Sequence, residues 1–411
     1  MEKIKKIIHE FNYLKKEDFI EIPIFVISII PAIIFKIFTK IAKKQIWLIC
    51  EDKNEARDNG YCFFKYLREK QKHVNTYYAI SYKSKDFEKV KSLGKTVRYG
   101  GFYHWILYFG CKYNISSQKA GKPDAAICYV LEQLKIIKNK SVFLQHGITI
   151  NKATWLFYPN TKMRLFICGA KPEYEYVKKY FEYPEENVAY TGFCRFDDYF
   201  NINVNRKQIL LIPSWREWIA SKNEYSKVYE DSSEFTNTEY YKKYQELINS
   251  QRLVNFLEKN DLILYFYPHR NMQKYINDFS TSCNRIKIVT NKDTDIRKLL
   301  TESAVMITDY SSVALDFAYM KKPVIYYQFD EKKFREAQYA EGYYSYRNSG
   351  LGTVTETCEQ TLNELENLYS NNLVMTQEFE EKHNSFFELW DNNNCERVYN
   401  VIKNIGTRLK H

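Results

Sequence analysis

The chain has 411 residues, of which 45% are hydrophobic and 17% aromatic, and its formal net charge is +11. This composition supplies enough apolar side chains for two α/β domains and excludes an intrinsically disordered protein. The basic balance indicates an anionic partner, but the lysines are scattered and no zinc-finger, basic-zipper or aromatic RNA-binding pattern is present. We therefore expect a membrane surface, a nucleotide or a polyanionic substrate as the partner, and no nucleic acid.

The first 45 residues contain an uncharged apolar stretch, Ile22 to Phe35, with lysines on both sides. It is shorter than the roughly 20 apolar residues of a bilayer-spanning helix, and it contains Pro23 and Pro31. No small-residue cleavage site follows, which argues against a secretory signal. Two interpretations remain. One is a basic interfacial or re-entrant membrane anchor, which the flanking lysines favour, and the other is a buried helix packed against the rest of the protein.

From residue 46 onwards, short β-rich runs alternate with helical segments in two series of similar size. This alternation predicts parallel sheets and two Rossmann-like domains that face a cleft. We expect an acceptor domain at 46–205, a donor domain at 206–375, and a helical tail at 376–411 that packs back on the first domain. The predicted strands are 46–50, 76–81, 95–100, 112–117, 142–146, 165–170 and 188–193, then 208–213, 262–268, 286–290, 305–309 and 324–328.

The nine cysteines are dispersed, form no C-x-x-C pair, and several lie inside apolar runs such as "WLIC" and "LFICGA". This placement indicates reduced thiols that act as small core residues, which fits a cytoplasmic location. No group of histidines, cysteines and acidic residues has the spacing of a metal site. We therefore expect no metal and no other cofactor.

Two of the seven histidines lie at the ends of predicted strands, one in each series: His146 in "QHG", which comes after "VFL", and His269 in "PHR". Ligands of open parallel sheets bind beyond the carboxyl ends of the strands, so these positions are candidates for catalysis. A neutral imidazole can accept a proton from a hydroxyl group near pH 7, and Gly147 would let substrate approach closely. The alternative for each histidine is a purely structural role.

Other strand ends carry groups that suit a phosphate, although the chain has no glycine-rich phosphate loop. Arg270 offers a planar fork of donors, and Ser311 and Ser312 stand where a helix begins, so they could cap this helix, bind an anion, or do both. Asp309 would accept from a ribose hydroxyl or orient a neighbouring donor. The predicted substrate-binding residues are Gly147, Ser214, Arg216, Arg270, Asp309, Ser311 and Ser312.

The segments "QHG", "YPHR" and "ITDYSSVALDFAYMKKPVIYYQFD", in this order, resemble the CDP-glycerol glycerophosphotransferases, the teichoic-acid polymerase and primase family. The segment "WLICEDKNEARDNGYCFFKYLR" resembles the same family, and the similarity covers about residues 46–370. It implies a GT-B fold, peripheral attachment to the cytoplasmic face of the membrane, and no required metal. It also implies transfer of glycerol phosphate or ribitol phosphate from a CDP ester to a hydroxyl of a lipid-linked or polyanionic acceptor in teichoic-acid or capsule synthesis, with release of CMP.

Within this resemblance, His146 matches the family histidine proposed as the base, and His269 matches the second essential histidine. Arg270, Ser311 and Ser312 fall where contacts to the donor phosphates are expected. Two other functions remain open on the sequence. One is a GT-B glycosyltransferase that uses a nucleotide sugar for a cell-surface polysaccharide, and the other is a non-catalytic scaffold at the membrane surface.

Overall fold

The computed structural model of the protein describes residues 18–220 and 232–405, and these residues form two compact units. Unit 1 contains the described residues up to His146, residues 154–197 and the residues from Asp391 onwards. Unit 2 contains residues 147–153 and 198–390. The chain therefore passes between the units at 197/198 rather than at 205/206, and a short segment after His146 belongs to unit 2.

Each unit is built on one sheet in which every strand pair is parallel, which confirms the predicted α/β class. The strand order is β3-β2-β1-β4-β5-β6-β7 in unit 1 and β10-β9-β8-β11-β12-β13 in unit 2. The strands are β1 (Ile46–Cys50), β2 (Asn75–Ile80), β3 (Thr96–Arg98), β4 (Tyr113–Ser116), β5 (Ser141–Phe143), β6 (Leu165–Cys168), β7 (Val188–Tyr190), β8 (Asn205–Leu211), β9 (Ile263–Phe266), β10 (Ile286–Ile288), β11 (Ser303–Thr308), β12 (Val324–Tyr327) and β13 (Thr353–Thr355).

Helices connect the strands and cover the sheets, so the central strands are buried on both faces and read as continuous apolar runs. The α-helices are α1 (Asp18–Ile41), α2 (Asn59–Lys70), α3 (Phe87–Leu93), α4 (Phe102–Gly110), α5 (Ala125–Gln133), α6 (Tyr158–Thr161), α7 (Lys171–Tyr180), α8 (Ser232–Thr236), α9 (Glu239–Ile248), α10 (Gln251–Lys259), α11 (Ile296–Glu302), α12 (Val313–Tyr319), α13 (Glu331–Ala337), α14 (Cys358–Ser370), α15 (Gln377–Phe386) and α16 (Asn394–Lys403). Short 3₁₀ helices occupy Thr154–Leu156, Glu185–Asn187, Cys194–Asn201 and Arg270–Asp278.

The amino-terminal helix α1 has one packed face and one exposed face. One face packs on α4, where the Phe25 ring lies 4.8 Å from the Trp105 ring and Phe35 covers Gly110. The opposite face exposes large apolar side chains, and Ile30 is 71% exposed. The helix continues through both prolines, and its segment Ile22–Ile41, which includes Lys36 and Lys40, is long and apolar enough by length and composition to cross a membrane.

The carboxyl-terminal tail is divided between the units, whereas the sequence predicted that all of it packs on the first domain. Helix α15 belongs to unit 2, where the Trp390 indole that follows it donates to the Tyr319 carbonyl at 2.8 Å. Helix α16 belongs to unit 1 and begins where the amides of Asn394 and Cys395 donate to the Asp197 carboxylate, each at 2.8 Å. All nine cysteines lie among the described residues, none of them forms a disulfide, and all are buried, which confirms their core role.

Trp105 and Tyr103 on helix α4 form a matched pair that tests how much the packing of α4 contributes to stability. Trp105 is fully buried between the sheet and α1, whereas Tyr103 is 70% exposed. We expect Trp105→Ala to lower the free energy of unfolding by about 3–5 kcal/mol, because it leaves a cavity, and Tyr103→Ala to change it by less than about 0.5 kcal/mol. Urea unfolding followed by circular dichroism measures both, and equal effects would contradict this packing.

Candidate functional site

In unit 1, a buried carboxylate fills the space at the end of β1 where a Rossmann fold usually receives a ligand. The strand order reverses between β1 and β4, and this switch point is the usual ligand crevice. Glu51 directly follows β1, is 3% exposed, and accepts from the amides of Arg57 at 2.9 Å and Tyr61 at 2.6 Å. The other amides at the start of α2 are also paired, since Asn59 donates to Asp58 at 2.7 Å and Gly60 donates to the Ser117 hydroxyl at 2.8 Å. These amides therefore do not offer an anion site for a nucleotide phosphate.

No basic side chain pairs with Glu51 in the part of the chain that the structure describes. Burial, and next the charge of Asp58, raise the pKa of Glu51 from 4.5 to about 7, although the backbone donors act in the opposite direction. Two arginines that contact this loop pair with other carboxylates, since Arg195 binds Asp58 at 2.7 Å and Arg57 binds Asp86 at 2.9 Å. Glu51 therefore changes its charge near neutral pH.

Hydrogen bonds between buried groups hold the loop that carries His146. Gln145 has a positive φ of 58° and is buried, and its side-chain amide donates to the Ile167 carbonyl at 2.6 Å and to Glu173 at 3.0 Å. The side-chain amide of Asn59, at the start of α2, donates to the Gln145 carbonyl at 2.7 Å. These bonds fix the backbone directly before His146, and the His146 side chain itself is exposed at the carboxyl edge of the sheet.

In unit 2, the residues after β8 and β11 form a buried ion-pair network. The Arg216 guanidinium binds Asp330 through two nitrogens at 2.7 and 3.0 Å, and a third nitrogen binds Asp309 at 2.8 Å. Asp309 also accepts from the Ser214 amide at 2.8 Å and the Tyr244 hydroxyl at 3.0 Å. Burial opposes the arginine charge, but the two carboxylates outweigh it and raise the pKa of Arg216 further above its ordinary value.

This network includes two of the predicted substrate contacts. Arg216 and Asp309 are both 0% exposed, and their polar groups are paired with each other and with protein atoms. They therefore join the loops after neighbouring strands, and their contact with a substrate stays a prediction. Ser214 is also buried, and its backbone amide belongs to the same network.

His269 lies at the end of β9 in an orientation that suits a hydrogen-bond donor. Its Nδ1 accepts from the Asn271 amide at 3.2 Å, and its ring stacks on Trp215 with the ring centres 6.3 Å apart. In the neutral imidazole the proton then resides on Nε2, which can donate to an anion. His269 is half-buried, and Arg270, the next residue, is exposed.

The turn between β11 and α12 brings Gly147, Ser311 and Ser312 together within unit 2. The Ser311 hydroxyl accepts from the Val313 amide at 3.4 Å, whereas the Ser312 side chain makes no capping hydrogen bond. Helix α12 is therefore capped by Ser311, through a long and weak hydrogen bond. A Cβ atom on Gly147 would lie 3.0 Å from the Ser312 hydroxyl oxygen, which explains why the smallest residue follows His146. Both serines are half-buried.

The sequence missed the residues that support these loops. Glu51 could have been found, because it directly follows a predicted strand in "WLICE". Asn59, Gln145 and Asp330 carry no local signal, since their partners lie far away in the chain. Among the described residues, no group of three histidines, cysteines or acidic residues is close enough to hold a metal ion.

Two Rossmann-like units with polar loops at the carboxyl edges of all-parallel sheets define a GT-B-like fold. The solved structure of the wall teichoic acid polymerase TagF matches 97% of this chain and 100% of that chain, with a TM-score of 0.63 and 17% sequence identity. At this identity the likeness concerns the fold.

Residues 32–404 match the family described as CDP-Glycerol:Poly(glycerophosphate) glycerophosphotransferase, and the chain belongs to this family. The minor teichoic acid biosynthesis protein GgaB of Bacillus subtilis is 33% identical over 385 residues, which are 91% of this chain and 41% of that protein. The teichoic acid poly(glycerol phosphate) polymerase of Bacillus spizizenii is 29% identical over 161 residues, 39% of this chain and 36% of that protein. The chain thus spans about two fifths of the length of these relatives.

Removing Arg216 tests the buried network. We expect Arg216→Met to lower the free energy of unfolding by about 3–5 kcal/mol, because Asp309 and Asp330 would stay buried without a counter-charge. Arg347 is the matched control, since it also contacts two carboxylates, Glu331 and Glu356, but at the surface. Arg347→Met should cost at most about 1 kcal/mol. Urea unfolding of both variants decides the matter, and a small effect of Arg216→Met would refute the structural role.

The titration of Glu51 predicts a pH-dependent stability. Between pH 4.5 and about 7 the folded protein binds a proton on Glu51 that the unfolded chain has lost, so the contribution of Glu51 to stability falls as the pH rises through this window. We expect the free energy of unfolding of the wild type, minus that of Glu51→Gln, to fall over the same range and to level off above it. Urea titrations at several pH values measure this difference. Glu55→Gln, at an exposed position of the same loop, is the control, and a rising difference for Glu51→Gln would contradict the assignment.

Proposed function

We propose that this chain transfers glycerol phosphate from CDP-glycerol to a hydroxyl of a teichoic-acid acceptor and releases CMP. The observation that carries the proposal is that each sheet of this family member presents a histidine at its carboxyl edge, on loops with rigid support. The acceptor is a poly(glycerol phosphate) or another polyanionic, lipid-linked glycan, which suits the net charge of +11.

In this proposal His146 is the general base. The acceptor hydroxyl gives its proton to His146 and attacks the phosphorus that bears the glycerol. A new P–O bond forms while the bond between the two phosphates breaks, and CMP leaves with the bonding electrons. The exposure of His146 supports this role, because the acceptor must reach the imidazole, and so does the fixed backbone at Gln145.

Unit 2 would hold the donor. The Nε2–H of His269, the Arg270 guanidinium and the hydroxyls of Ser311 and Ser312 would neutralise charge on the diphosphate, while Arg216 and Asp309 keep their loops in place. Support comes from the tautomer of His269 and from Ser312, which makes no capping bond. The blocked helix start at Glu51 in unit 1 also favours unit 2 as the nucleotide-binding unit. Most of the rate would arise from positioning and electrostatic stabilisation.

We further propose that the protein is attached peripherally to the cytoplasmic face of the membrane through α1. The exposed apolar face of this helix and the lysines around it support an interfacial position. A lipid-linked acceptor would be concentrated at the same surface.

The base assignment is tested by His146→Ala. We expect the rate of CMP release, with CDP-glycerol and a poly(glycerol phosphate) acceptor, to fall by about 10²–10⁴-fold, because the hydroxyl loses its proton acceptor. Binding of CDP-glycerol, measured by calorimetry, should persist. His73→Ala is the control, since His73 is an exposed histidine of the same unit, and its rate should equal that of the wild type.

Near-normal turnover of His146→Ala would exclude His146 as the base. A parallel panel of CDP-ribitol and UDP-sugars, with the mass of the product determined in each case, tests the donor. Release of UDP instead of CMP would replace the proposal by a glycosyltransferase, and no release with any donor would favour the scaffold.

A further inference from the structure

A basic pocket lies where the carboxyl-terminal end of α1 meets the amino edge of the unit 1 sheet. Its volume is about 470 Å³, and its walls come from the end of α1, the end of α4 and the residues directly before β1, β4 and β5. Among the described residues, no acidic side chain lines it. We name it the lysine pocket after Lys36, Lys40, Lys43, Lys44, Lys112 and Lys140.

These lysines have no acidic partner in the part of the chain that the structure describes. Lys140 instead donates to the carbonyls of Phe109 at 2.9 Å and Cys111 at 2.7 Å, and Lys112 donates to the side chain of Gln45 at 3.0 Å. Burial lowers the pKa of Lys140, with a further contribution from the charge of Lys36, and burial also lowers the pKa of Lys112. A bound anion would relieve this concentration of like charge.

The lysine pocket adjoins the exposed apolar face of α1. Ile34, Ile37 and Ile41 are 62%, 55% and 76% exposed, and Lys36 and Lys40 are interspersed with them along the last turns of the helix. Exposed apolar side chains beside lysines are typical of helices that lie at a bilayer surface, where the lysine stems cover apolar surface and the ammonium groups reach phosphates.

We propose that the lysine pocket binds the headgroup phosphate of an anionic glycerophospholipid whose acyl chains lie along the exposed face of α1. The proposal rests on the membrane attachment proposed above. It adds that the protein binds one anionic lipid at a discrete site, in contrast to a diffuse attraction between its lysines and the charged membrane surface. The absence of acidic residues from the lining selects an anionic headgroup over a zwitterionic one.

The lysine pocket and the His146 loop lie at opposite edges of the same sheet. Lys140 directly precedes β5, and His146 lies beyond the other end of this strand, so the two residues are separated by the length of the strand and by at most roughly 20 Å at about 3.3 Å per residue. A lipid in the pocket is therefore not the acceptor whose hydroxyl reacts at His146. It attaches unit 1 to the bilayer by the amino edge of its sheet and leaves the carboxyl edge to the polymer.

Vesicle sedimentation tests this site with the full chain and with phosphatidylcholine vesicles that contain or lack phosphatidylglycerol. We expect the wild type to bind the phosphatidylglycerol vesicles, and Lys36→Gln/Lys112→Gln to bind them at least about tenfold more weakly, because two phosphate-facing lysines are lost. The control is Lys83→Gln/Lys85→Gln, which removes the same charge from exposed lysines after β2, at the carboxyl edge. Equal loss in both double variants would overturn the proposal in favour of diffuse attraction.

Calorimetry with dihexanoyl phosphatidylglycerol below its micelle concentration gives a second measurement. We expect saturable one-to-one binding that Lys36→Gln/Lys112→Gln removes, and none with dihexanoyl phosphatidylcholine. The absence of saturable binding, or equally tight binding of inorganic phosphate, would overturn the lipid assignment.

CMP release with a soluble acceptor separates this proposal from the transfer reaction. We expect unchanged rates for Lys36→Gln/Lys112→Gln, and a lost rate would overturn the proposal by placing the pocket in the reaction. If the wild type releases no CMP while the lipid results hold, the proposed function fails and the lipid site stands.

Discussion

The architecture depends on a buried carboxylate that directly follows a central strand of each sheet. Glu51 in unit 1 and Asp309 in unit 2 each follow a central strand and accept backbone amides from a loop that would otherwise have unpaired donors. A buried carboxylate is costly unless it is well bonded, so the surrounding loops have little freedom. The two units meet this cost differently: Asp309 has Arg216 as its counter-ion, whereas Glu51 has only amides and hydroxyls and holds a proton up to near neutral pH.

This constraint gives the loops that carry the candidate catalytic histidines a rigid support. His146 follows a residue whose backbone and side chain are both bonded to buried groups, and His269 accepts from an amide of its own turn. In each case the buried polar groups fix the loop and the histidine at its tip remains accessible. Such positioning is what a phosphoryl transfer needs when most of its rate depends on alignment and charge stabilisation.

The two edges of the unit 1 sheet have different chemistry. The carboxyl edge ends in the carboxylate, amide and imidazole groups of the His146 loop, whereas the amino edge meets the apolar helix α1 and a pocket lined with lysines. A parallel sheet allows this separation because all of its strands begin at one edge and end at the other. One edge can therefore face a charged surface while chemistry proceeds at the opposite edge.

The sequence by itself determined the elements and the strand ends. All twelve predicted strands overlap most of an observed strand, because apolar runs between helical patterns are local signals. The three-residue strand β13 was not predicted, since it has no strong pattern. The family was also recognisable, because its long motif is one continuous segment.

Only the tertiary structure decided that Arg216 and Asp309 pair with each other across 93 residues, that 147–153 and α15 belong to unit 2, and that α1 has one packed face and one exposed face. A charged residue after a strand looks the same in sequence whether it meets a ligand or a distant partner, and burial, which distinguishes the two, is a property of the folded chain.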